Sequence, residues 1–158
     1  MPRIPANVAA TLPRKLGPPP SPLPKGFTPT AADARALYRK LWRVGSLSVM
    51  YSNPGRTMIR QKIREAFEES RQSPKTDPVD IVQQWKRALN TCFFFEIAST
   101  RFGIEHSVIS NLSRVAAENS QGSPRVQKPN MRKIQKEVME EYNTVIRALN
   151  ESMELSLR

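Results

Sequence analysis

The chain has 158 residues, enough for one domain of ordinary size, and carries 25 Lys and Arg against 14 Asp and Glu, a formal charge of +11. That balance calls for an acidic partner: nucleic acid, an anionic membrane surface or an acidic protein. One cysteine excludes an internal disulfide and any multi-cysteine metal site, and no apolar run approaches the ~20 residues that span a bilayer, so a soluble chain is expected.

Residues 1–29 hold most of the fourteen prolines, the cations Arg3, Arg14, Lys15 and Lys25, and no acid before Asp33. Composition alone makes this a disordered, solvated tail. A basic, acid-free start also resembles a mitochondrial presequence. Pro2, Pro5, Pro13 and the Pro18-Pro19-Pro20 run break most helices, which limits that fit.

From residue 30 the pattern turns helical. Thr30 and Asp33 read as a capping pair, a hydroxyl for one orphan N–H and a carboxylate for another. Ala34, Leu37, Tyr38, Leu41, Trp42 and Val49 then recur at helical spacing, bordered by Arg35, Arg39, Lys40 and Arg43. Gly45 and Ser46 permit close approach of a neighbour. The helix should reach about Met50. Asn53 as cap and Pro54 at the first helical position should open a second helix, ending near Gln72. It places Ile59, Ile63, Ala66 and Phe67 on one side, with Arg60, Lys62 and Arg64 around them.

Asp77 caps a third helix that starts with Pro78. Its apolar residues include Trp85, Ala88, Leu89, Cys92 and the run Phe93-Phe94-Phe95. Three successive rings point in three directions, so this helix must be touched on several sides. Gly103 is a stop signal. A fourth helix carries Ile104, Val108, Leu112 and Val115. Residues 119–130 are a polar linker. A last amphipathic helix over residues 131–156 lines up Met131, Ile134, Val138, Tyr142, Val145, Leu149 and Met153.

Leu37-Tyr38-Arg39, then Arg43 one turn on, then Arg60, Arg64 and Phe67 in a second helix, resembles the mitochondrial LYR-motif family. The resemblance covers roughly residues 30–115. It implies an all-α fold: an antiparallel three-helix bundle extended by the fourth helix (together residues 30–118), with the C-terminal helix separate. It also implies a matrix adaptor or assembly protein that binds acyl carrier protein. Leu37, Tyr38, Arg39, Arg43, Arg64 and Phe67 carry over from the family motif. Arg60 and Lys62 join them on charge alone, making a two-helix basic patch whose forked donors suit carboxylates.

In that family the carrier's 4'-phosphopantetheine acyl chain enters the bundle. Here the channel would be lined by Ala34, Leu41, Gly45, Ile63, Ala66, Ala88, Cys92 and Phe95. Burying a fatty chain contributes about 0.8 kcal/mol per methylene, so a chain of poor stability without its carrier is expected. The client would be a larger complex, with the mitochondrial ribosome preferred over a respiratory complex or iron–sulfur system. The charge also suits ribosomal RNA contact or a plain RNA-binding module.

No Gly-rich phosphate loop, paired-carboxylate motif or nucleophile elbow is present, and no enzyme is expected. His106 has no cysteine or histidine partner at metal-ligand spacing, so no metal site is expected and a capping or surface role is. Cys92, among phenylalanines, reads as a small hydrophobe. No cofactor should bind the chain directly. A membrane-surface role for the last helix ranks lowest, because its polar face mixes acids and bases.

Overall fold

A computed structural model describes residues 16–100, 103–120 and 129–157. Among them are five helices and no strand: α1 (Ala31–Ser48), α2 (Gly55–Gln72), α3 (Pro78–Ala98), α4 (Ile104–Ser120) and α5 (Pro129–Ser152). The stretch expected to stay unfolded has, over residues 16–29, no helix or strand. Its Phe27 ring nonetheless packs on Trp85 of α3, with centres 5.8 Å apart.

The capping pair forms as expected. The Asp33 N–H donates to Thr30 Oγ1 at 3.2 Å, and the Thr30 N–H donates to Asp33 Oδ2 at 2.9 Å. The Thr30 hydroxyl bond, then its backbone bond, hold the Asp33 carboxyl below the usual range. Asp77 caps α3 by accepting from the Val79 N–H at 2.9 Å, with Pro78 at the first position.

The end of α1 departs from expectation. The helix stops at Ser48, and Met50 and Tyr51 take left-handed φ values of 57° and 56°. The Met50 N–H donates to Leu47 O and the Tyr51 N–H to Ser46 O. That pairing is a Schellman turn, which usually places glycine where Met50 stands. Asn53 does not cap α2. The residue before Gly55 is Pro54, and no side chain accepts from that end. Asn53 Oδ1 instead takes a long bond from Thr57 Oγ1.

Helix α1 packs on α2, α3 and α4, and α4 packs on α2 and α3. The backbones of α2 and α3 do not pack on each other. A closed three-helix bundle would pair all three, so the arrangement differs from the one the resemblance implies. Helix α4 is integral to the bundle, and a gap runs between α2 and α3. Helix α3 is touched on several sides, with Phe94 and Phe95 buried and Phe93 partly so.

Gly45 sets the spacing of α1 and α2. A Cβ there would lie 2.7 Å from Ile59 Cγ2, a branched atom held in the core. The bare backbone therefore lets the helices close to a distance that alanine would forbid.

The C-terminal region corrects two expectations. Helix α5 ends at Ser152, not near residue 156. Glu154 takes a left-handed φ of 51°, and the Leu155 N–H donates to Asn150 O. This second Schellman-type turn sends the chain back, and Leu155 and Leu157 are buried in the core. The apolar face drawn for α5 is also divided. Tyr142, Ile146 and Leu149 face inward, whereas Met131, Ile134, Val138 and Val145 are exposed. Period shows that a helix is amphipathic, not where its neighbours stop. The Tyr142 hydroxyl is buried without a hydrogen bond among the described residues, and burial pushes its pKa up.

Candidate functional site

Two features meet on α1 and α2. The first is an arginine and aromatic face. Tyr38 stacks edge-on against Phe67, with ring centres 5.1 Å apart, and lies 5.5 Å from Trp42. Trp42 in turn has the Arg60 guanidinium 4.9 Å and the Arg64 guanidinium 5.8 Å from its ring centre. Such cation–π contacts contribute roughly 0.5–1 kcal/mol each at exposed sites. Arg60 Nε also donates to Ser46 Oγ at 2.9 Å. Two guanidinium groups are thus held in place by an indole and a hydroxyl, without a carboxylate.

Arg39 and Arg43 follow Tyr38 and Trp42 by one residue, about 100° further round α1. Both are exposed. Among the described residues no acid pairs with Arg39, Arg43, Arg60 or Arg64. Lys40 differs. Its ammonium lies 2.9 Å from Glu96 Oε1 and its pKa is raised by that bond, tying α1 to α3.

Leu37, Tyr38, Arg39, Arg43, Arg60, Arg64 and Phe67 therefore belong to the α1–α2 pair, with Leu37 buried in the core. Lys62 does not join the arginines. Two residues from both Arg60 and Arg64, it lies 4.0 Å from Glu65 Oε2 and borders the apolar cleft between α2 and α3. Sequence reasoning missed Trp42 as part of the face. Its period matches Leu41 and Tyr38, which marks it as core. Four residues after Tyr38 and three after Arg39, it could have been found as an indole among cations.

The second feature is an apolar cleft of about 100 Å³ in the gap between α2 and α3. Leu41, Ile63, Ala66, Ala88 and Phe95 line it. Ala34, Gly45 and Cys92 do not. Gly45 is covered by Ile59. Cys92 is turned from the cleft toward the α1–α3 seam, where Lys40 and Glu96 are its charged neighbours. Lys62 and Phe67 of α2, Thr91 of α3, Leu112 of α4 and, from the C-terminal segment, Ser156 and Leu157 are also in the lining. Phe67 belongs to both features and joins face to cleft.

Burial pushes the Cys92 thiol up to about 11, with Lys40 only partly opposing. Thiolate is the reactive form, and the side chain is 1% exposed. Iodoacetamide at pH 8 should therefore leave Cys92 unmodified in the folded protein and alkylate it fully in urea. Intact mass reads the difference. His106 Nδ1 lies 3.1 Å from Ala98 O, so the ring closes the C-terminal end of α3. Among the described residues no cluster of His, Cys, Asp and Glu could hold a metal ion, and no helix is long and apolar enough to cross a membrane.

Residues 32–92 match the family model described as Complex 1 protein (LYR family). Over that span the chain is similar to the LYR-motif family. The matched span holds the whole arginine face and most of the cleft. It ends at Cys92, so α4, α5 and the C-terminal segment lie outside it. No curated protein and no solved structure matches the chain. LYR proteins are small adaptors or assembly factors, generally not enzymes, typically associated with acyl carrier protein and typically mitochondrial.

Proposed function

We propose that this chain binds acyl carrier protein in the mitochondrial matrix and serves, with it, as an adaptor in the assembly of a larger complex. The unpaired arginine face supports this reading most directly. Arg39, Arg43, Arg60 and Arg64 present four guanidinium groups without an internal counter-charge. An acidic helix of the carrier is their complement, because each fork of donors matches a carboxylate. The carrier's 4'-phosphopantetheine acyl chain passes Phe67 and enters the cleft between α2 and α3. The group is supplied by the partner and is not a resident cofactor of this chain.

For the client we take the mitochondrial ribosome over a respiratory complex or the iron–sulfur system. The net charge of +11 suits a surrounding rich in phosphate. Affinity purification from mitochondria followed by intact mass tests the whole reading. It should recover a carrier with its acyl group attached, together with ribosomal proteins. Recovery of RNA that is lost steeply with added salt, without any carrier, would favour a plain RNA-binding module instead.

A further inference from the structure

We propose that the C-terminal segment, residues 153–157, is a removable plug that occupies the acyl site until a loaded carrier displaces it. This rests on the carrier reading above and adds to it a competition within the chain.

The backbones of α2 and α3 do not pack on each other, and an apolar cleft lies between them. Residues 155–157 pack beside it. Leu155 is 2% and Leu157 5% exposed, while Ser156 between them faces solvent. This alternation is that of an extended segment with one buried face. Leu157 and Ser156 form part of the cleft wall, and Leu155 anchors the segment in the core beside it.

The volume left over decides between a wall and a plug. A cavity of roughly 150 Å³ takes up a single benzene ring. The cleft here is about 100 Å³. A chain of a dozen carbons does not fit unless part of the lining leaves, and α2 and α3 are each held by α1 and α4. The segment is the part that can go.

Besides the two leucines, its attachment is a small set of polar contacts. Asn150 Nδ2 donates to Leu157 O at 2.7 Å, and the Leu157 N–H donates back to Asn150 Oδ1 at 2.8 Å. The Ser156 N–H donates to Thr91 Oγ1 at 2.9 Å. Lys86 Nζ lies 2.6 Å from Glu154 Oε2, with both side chains about half exposed. Water can replace each of these partners once the leucines lift out. The hinge is Glu154, a non-glycine residue held at φ 51° only while the chain turns back. Release lets it return to an ordinary conformation.

Hydrogen exchange on the full chain tests this with two probes: a carrier bearing a dodecanoyl group, and the same carrier with bare phosphopantetheine. The amides of Leu155, Ser156 and Leu157 should be protected in the free protein and with the bare carrier. Protection should be lost with the dodecanoyl carrier. A chain ending at Ser152 should bind the dodecanoyl carrier at least ~10-fold more tightly than the full chain, because the competing state is gone, with no such gain for the bare carrier. A dodecanoyl carrier that binds while the segment stays protected overturns the plug and leaves the carrier reading intact. A carrier that binds neither chain overturns both.

Discussion

Replacing Arg43 by glutamate should remove acyl carrier protein from the purified complex while leaving the fold untouched. The side chain is exposed and makes no hydrogen bond or ion pair among the described residues. Surface changes of that kind alter stability by about 0.5 kcal/mol or less. Against an acidic helix the effect is different. One bidentate guanidinium–carboxylate pair is lost, and a carboxylate is placed opposite a carboxylate. Juxtaposed like charges at an interface cost several kcal/mol, so affinity should fall at least ~100-fold. Arg43→Lys should fall in between, because the charge survives and the fork does not. Co-purification with the carrier, beside a thermal melt of each variant, reads both halves. Wild-type carrier recovery with Arg43→Glu would place the docking surface elsewhere.

The second large effect is expected at Phe95. The ring is 5% exposed, lines the cleft, and lies beneath the α1–α2 contact at Gly45. Phe95→Ala should cost about 3–5 kcal/mol, the transfer of the ring plus the cavity it leaves. That is a large share of a typical stability of ~5–15 kcal/mol. Urea unfolding should show a lower midpoint with an unchanged slope. The dodecanoyl carrier should restore part of the loss, since its chain reaches the enlarged cavity. A midpoint equal to wild type would show that the ring is not in the core.

How far the sequence could be read depends on which residues carried local chemistry. Thr30 with Asp33, and Asp77 with Pro78, are complete capping signals in adjacent residues, and both formed. The end of α1 was obscured because Met50 occupies a left-handed position that normally advertises itself as glycine. Asn53 looked like a cap only because Pro54 followed it. Trp42 was the part of the arginine face that the pattern hid. Period places a residue on an arc, but whether that arc is core or surface depends on where the next helix lies. The C-terminal turn was hidden for the same reason as the first, with Glu154 standing at the left-handed position. Leu155 and Leu157 alternate over too few residues to distinguish an extended segment from the last turn of α5.

Trp42 has a practical corollary. The chain contains only two tryptophans. Trp85 rests against Phe27 on α3, and Trp42 lies beneath the guanidinium groups of Arg60 and Arg64. The indole on α1 is therefore a built-in optical gauge of the surface that meets the carrier. With Trp85 replaced by phenylalanine, the remaining fluorescence follows docking in real time without any attached dye.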